Sequence, residues 1–260
     1  MGFPQPISRF CWSIYSRSGC GAVDEELGER LQELSLAVGV DLGADAGAAL
    51  LRFLALLLAA NLKLSLTAIR DPQEALVKHL ADSLAGLDLV RGGGGAVVDV
   101  GSGGGLPGIP LAVCSPGREF VLVEASRKKV AYLQATVREL GLDNVRVWWR
   151  RVEAVGQGEG RERFGVAVVR AVTSLAVVYE YCLPLLAVGG RLVAWRGRQA
   201  EVEMEAARGV AEKLGGGPAR LHPYSLAGAG ERGLVVVEKV GPTPARFPRR
   251  VGVPERRPLA

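Results

Sequence analysis

The chain is poor in the residues that build metal centres and disulfide frameworks. Its 260 residues include four cysteines, Cys11, Cys20, Cys114 and Cys182, with no CxxC and no paired spacing. They read as reduced thiols of a cytoplasmic protein rather than as cross-links. With His79 and His222 as the two histidines, no metal site is expected. Long apolar runs are scarce as well. Residues 1–22 hold no stretch long enough for a signal-peptide core, and Pro6 spoils a myristoylation match after Met1-Gly2. The Ala- and Leu-rich helix expected from Asp45 to Ala60 is short and interrupted by Arg52, so no membrane span is expected.

Acids are missing from both ends. Residues 1–22 carry Arg9 and Arg17 and no acid. Residues 241–260 carry Arg246, Arg249, Arg250, Arg256 and Arg257 against Glu255 alone. The net charge of +5 therefore sits on the ends of a nearly neutral body. That distribution suits a polyanionic partner, with a merely solvated tail as the plainer alternative.

What the chain does have is glycine, 35 residues of it, and one concentration of it gives the chain its organisation. Ala96 to Pro110 reads AVVDVGSGGGLPGIP. Ala96 to Val100 has the β-branched pattern of a buried parallel strand. Gly101 to Gly105 then lets the backbone turn tightly and approach a ligand. Pro107 is expected in the first turn of a following helix. Strand, glycine loop and helix N-terminus make a cradle for a nucleotide-like ligand.

The rest of the chain falls into four parts. Residues 1–22 read as a disordered extension and 23–95 as a helical segment. That segment has helices from Asp24, over Asp45 to Ala60, and from Gln73 to about Leu87. Residues 96–240 alternate strands with helices, and 241–260 form a basic tail. Further strands are expected at Phe120 to Glu124, Asn144 to Trp149, Phe164 to Arg170, Arg191 to Trp195 and Gly233 to Val240. Helices are expected at Arg127 to Leu140 with Ser126 as N-cap, Ser174 to Leu186, and Gln199 to Leu214, and residues 151–163 as a loop. This alternation predicts an α/β fold with a doubly wound, mostly parallel sheet.

Gly103 to Gly108 also fits GxGxxG, so a dehydrogenase must be weighed. Asp99, two residues before Gly101, gives instead the D-x-G-x-G-x-G loop of class I, Rossmann-like methyltransferases. Glu124 at the end of the second strand is placed to accept ribose hydroxyls in either class.

From about Leu50 to Leu259 the sequence resembles the RsmG (GidB) family of 16S rRNA guanine-N7 methyltransferases. The resemblance rests on Leu66-Thr67-Ala68-Ile69-Arg70-Asp71-Pro72, Lys78-His79 with Asp82-Ser83, and Asp99 through Gly108. Lys128-Lys129-Val130, Arg170-Ala171 with Ser174-Leu175, and Pro248-Arg249-Arg250 to Leu259 complete it. Ser65, Val169 and Arg196 stand where the family usually has Asn, Ser or Thr, and Lys.

The resemblance implies S-adenosylmethionine as cofactor and methylation of guanine N7 at the position called 527 in the family. The implied partner is 16S rRNA or the small ribosomal subunit, with the enzyme a monomer. A methyltransferase for another substrate and a non-catalytic nucleotide-binding regulator remain alternatives. The cofactor residues implied are Asp99, Gly101, Gly103, Gly105, Leu106, Glu124, Ala125, Ser126, Val152, Glu153 and Arg170. Arg170 and His79 are positioning candidates. Arg170 faces guanine O6, a phosphate or the cofactor carboxylate, unless it pairs with Asp99. Lys128, Lys129, Arg196 and the five tail arginines are candidates for RNA phosphates. No catalytic base is expected, because N7 carries no proton.

Overall fold

The computed structural model describes residues 20–170 and 173–260, with side chains from Glu25 onward. The expected extension thus lies, up to residue 19, outside the described residues, as does Ala171 of the Arg170 motif.

Helix α1 (Cys20–Ala37) begins three residues before the expected boundary. Helix α2 (Ala44–Leu64) is longer than expected. Its 21 residues are long and apolar enough, by length and composition, to cross a membrane, which corrects the expectation of a short interrupted helix. Leu50, Phe53, Leu54, Leu57 and Leu58 fall on one stripe at helical spacing and are buried in the core.

Helix α3 (residues 72–84) starts with Asp71 capping the Glu74 N–H at 2.7 Å and Pro72 in the first turn. Its middle, Leu76–Ala81, is wound as a π-helix, a rare geometry often found at functional sites. The helix stops before Gly86, against which the Trp195 indole packs. A Cβ on Gly86 would lie 2.4 Å from the Trp195 ring. Helix α4 (Leu87–Arg91) follows, still within the segment read as helical.

The remaining elements are β1 (Val97–Val100), α5 (Gly108–Val113), β2 (Phe120–Glu124), α6 (Arg127–Glu139) and β3 (Val145–Trp149). After them come α7 (Val152–Gln157), β4 (Phe164–Arg170), α8 (Leu175–Cys182) and β5 (Leu186–Arg196). The chain continues through α9 (Ala200–Ala206), α10 (Val210–Lys213), β6 (Arg220–Leu226), β7 (Gly230–Glu238) and α11 (Val253–Arg256).

Four details depart from expectation. Residues 152–157 form α7 instead of a loop. The single helix expected over Gln199 to Leu214 is two, separated at Gly209, whose φ of +77° ends α-helical winding. Strand β6 was not expected at all. Pro107 precedes the first turn of α5 rather than sitting in it.

The seven strands lie in the order β3-β2-β1-β4-β5-β7-β6. Strands β1 to β5 are parallel, and β7 is antiparallel to both β5 and β6. Side chains alternate between two cores. Val97, Val168, Val193 and Trp195 pack under α1–α6, while Val98, Val169, Leu192 and Ala194 pack under α7–α10 and Phe247 of the tail. Strand order reverses between β1 and β4, so ligands belong in the crevice outside their carboxyl ends.

Candidate cofactor crevice

The glycine loop closes the end of β1. The N–H groups of Gly101 and Ser102 both donate to the Val123 carbonyl, at 2.9 and 3.2 Å, which ties the loop to β2. Gly101, Gly103 and Gly105 have φ of +70°, +55° and +87°, a region costly for other residues. A Cβ on Gly105 would also lie 2.5 Å from Ile109.

Two carboxylates frame this loop. Asp99 is fully buried. Its Oδ2 accepts the Gly108 N–H at 3.2 Å, and its Oδ1 has no partner. Burial pushes its carboxyl up to about 7, against the pull of the Ser102 and Gly108 hydrogen bonds and the Arg170 charge. Glu124 accepts from the Gly103 N–H (3.0 Å) and the Ser126 N–H (2.7 Å). A buried oxygen without a partner, beside a backbone made bare by glycine, suits a polar and cationic ligand.

Ala125 and Ser126 lie half-buried at the rim, and Leu106 packs partly on the core beneath α1–α6. Ser126 holds the N-cap position of α6, but its side chain makes no capping bond, contrary to expectation. The Ala125 carbonyl accepts from the indole of the exposed Trp149. Val152 and Glu153 do not form the expected loop. Glu153 is buried in the first turn of α7 and accepts the Gly252 N–H at 2.8 Å. Its carboxylate is committed to the tail, not to the crevice.

Arg170 ends β4 opposite Trp195 of β5, at the crevice mouth. Its partner is not Asp99. Nη1 donates to Asp82 Oδ2 at 2.9 Å and to the Lys78 carbonyl at 3.1 Å, both on α3. His79 is buried beside it, hydrogen-bonded through Nε2 to Thr67 Oγ1 (2.8 Å). Burial, then the Arg170 charge, lowers its pKa to about 4. A neutral imidazole fastened between α3 and the preceding loop is a packing residue, not a free contact for RNA.

The arginines divide in the same way. Arg196 is buried and faces Glu203 (3.4 Å), so it is no surface contact for phosphate. Arg249 is also spent, clamped by Glu180 on α8: the backbone N–H and Nε each donate to Oε1 at 2.8 Å, and Nη2 donates to Oε2 at 2.5 Å. Lys128, Arg246, Arg250, Arg256 and Arg257 are exposed, and Lys129 is half-exposed. The tail is therefore a strap rather than a loose end. Arg161 donates to the Phe247 carbonyl (2.7 Å), Gln157 to that of Pro248 (3.0 Å), and Glu162 accepts the Thr243 N–H (2.7 Å).

Sequence reasoning missed Tyr224 and Arg232, which reach Asp82 from the β6–β7 hairpin. The hairpin's residues lie some 140 positions from Asp82, and no motif announces them.

A parallel sheet with one antiparallel strand inserted next to its last, a glycine loop after β1 and an acid ending β2 define a class I methyltransferase. The comparisons narrow the class. The profile of a family described as rRNA small subunit methyltransferase G matches residues 47–226. A ribosomal RNA small subunit methyltransferase G from Pelotomaculum thermopropionicum is 42% identical over 210 residues, 80% of this chain and 88% of that protein. Those of Chloroflexus aggregans and Deinococcus radiodurans are 40% and 42% identical, over 88% and 80% of this chain and 97% and 83% of theirs. The chain belongs to the rRNA small subunit methyltransferase G family, and its cofactor is S-adenosylmethionine.

Proposed function

We propose that the chain methylates N7 of a guanine in the 16S rRNA of the small ribosomal subunit, at the site its family modifies. The observation that carries this reading is Arg170, a cation held by Asp82 at the end of β4. An exocyclic amine must lose a proton as it is methylated, whereas N7 attacks through a bare lone pair. The crevice mouth then needs a group to orient guanine or its phosphate, and no base.

S-adenosylmethionine, when bound, supplies a methyl group on a sulfonium that departs as a neutral thioether. Asp99 meets the cofactor's ammonium and Glu124 its ribose hydroxyls, and the glycine loop, without side chains, lets the cofactor approach the backbone closely. Arg170 presents its free edge to the guanine O6 or an adjacent phosphate. The exposed tail arginines and Lys128 hold RNA farther out. The same reading makes the protein a cytoplasmic monomer that meets the small subunit as its partner, without a metal ion.

The test is transfer of labelled methyl from S-adenosylmethionine to small subunits lacking the modification, with nucleoside analysis of the digested RNA. The expected result is 7-methylguanosine at the family's position. Tight cofactor binding with no transfer to subunits, assembly intermediates or naked rRNA would discard this function.

A further inference from the structure

Asp82 is 1% exposed, yet four groups from across the sheet meet on it. Arg170 of β4 reaches Oδ2 at 2.9 Å. The Tyr224 hydroxyl of β6 donates to Oδ1 at 2.9 Å, and Arg232 Nε of β7 lies 3.3 Å from the same oxygen. The Trp195 indole of β5 donates to the Asp82 carbonyl at 2.6 Å. One residue of α3 thus fixes the carboxyl ends of β4 and β5 and the adjoining part of the β6–β7 hairpin.

The charges do not cancel. Two guanidiniums share the Asp82 carboxylate, which by itself cannot neutralise both. Arg170 and Arg232 retain 12% and 26% of their side-chain surface. Arg170 uses one nitrogen, Nη1, for hydrogen bonds among the described residues. Arg232 sits one residue before Gly233, which pairs with Arg196 at the end of β5, so it stands just above the same carboxyl edge as Arg170. Its Nε, although facing Asp82, makes no well-aligned hydrogen bond. Two guanidiniums held on the two oxygens of one carboxylate, with more positive charge than that carboxylate answers, suit an oxyanion.

Building on the rRNA reading above, we propose that Arg170 and Arg232 together bind a backbone phosphate of the RNA beside the target guanine, with Asp82 as the positioning residue that sets them. Arg232 is then a substrate contact supplied by the hairpin, and Tyr224 keeps the Asp82 carboxylate turned toward both arginines.

The experiment compares Arg232→Gln, Arg232→Lys, Asp82→Asn and the Arg232→Gln/Asp82→Asn pair by methyl transfer to unmodified small subunits over a range of salt. Arg232→Gln should raise KM about tenfold with kcat within about twofold, and flatten the salt dependence of KM by about one phosphate contact. Cofactor Kd and the melting temperature should stay at the parent values, and Arg232→Lys should recover part of the loss. The paired variant should lose little more than the worse single one, because both act on one contact. Parent-like KM and salt slope in Arg232→Gln would overturn the proposal even if Asp82→Asn fails to fold. A weakened cofactor Kd in Arg232→Gln would assign the pair to the cofactor carboxylate and overturn it equally. Absence of transfer by the parent chain would overturn the function and this inference together.

Discussion

The glycine loop and the C-terminal strap are both irregular backbone, and both are fastened by carboxylates that accept backbone N–H groups. At the loop, Asp99 takes Gly108 and Glu124 takes Gly103 and Ser126. At the strap, Glu153 takes Gly252, Glu162 takes Thr243, and Glu180 takes Arg249 twice over, by backbone and by side chain. The difference is what remains unused. Each of these acids facing the strap is engaged, and the buried Lys239 just before it is answered by the Leu214 carbonyl and Thr243. The loop keeps one buried oxygen of Asp99 without a partner. An identical chemical device makes closed structure where its valences are filled and leaves an acceptor for an outside donor where one is not.

The comparison breaks most visibly at Glu180. Arg249→Ala leaves its fully buried carboxylate without its counter-charge, and should cost about 3–5 kcal/mol in urea unfolding. Deleting residues 241–260 to test RNA binding would therefore confuse binding with stability. Asp99→Asn should act in the opposite sense. Cofactor affinity should fall about a hundredfold, close to 2.7 kcal/mol, by calorimetry. Stability should rise instead.

The direction follows from the carboxyl group's pKa, raised from 3.8 to about 7 by burial. Between these values the folded chain holds a proton that the unfolded chain has lost, so wild-type stability falls as pH rises through this window. The Asn variant escapes that loss. It should match wild type in thermal melts near pH 4 and exceed it above pH 7.

Glu153→Gln sharpens the contrast at smaller scale. Exchanging the charge-assisted bond from Gly252 for a neutral one, which the Gln oxygen still accepts, should cost about 1 kcal/mol, with cofactor affinity unchanged. A weakened cofactor would return Glu153 to the crevice. Smallest of all, Arg246→Gln and Arg250→Gln should leave melting temperatures alone. Each should reduce the salt slope of RNA binding by about 0.7 to 0.9.

Much of this was legible in the sequence, because the crevice is built from neighbours in the chain. The β-branched run before Gly101 and the second strand ending in Glu124 read directly as parallel strands, and Asp99 with the glycines read as the cofactor loop. Strand β6 was hidden by its own chemistry. Arg220 to Leu226 contains Pro223 and exposed polar residues, which only an edge strand tolerates, and β6 is the sheet's edge. Helix α7 was hidden by Gly156, where a Cβ would meet the Pro248 ring at 2.9 Å.

The charged residues were harder. Arg249 and Arg196 read as surface cations until their acids, Glu180 and Glu203, came into contact through folding. Asp82 stood in a recognisable segment, but its partners Arg170, Trp195 and Tyr224 lie 88 to 142 residues away. Motifs record local geometry, and these contacts are not local.

The strap also imposes an order on how the molecule comes into being. Gly252 and Arg249 meet their acids across 99 and 69 residues of chain. During synthesis from the N-terminus, β1 to β4 and the glycine loop emerge with Glu153, Glu162 and Glu180 exposed as free anions. Their late partners close long loops. A nascent chain can thus shape its crevice early, while the face under α7 and α8 waits for its last twenty residues to lock.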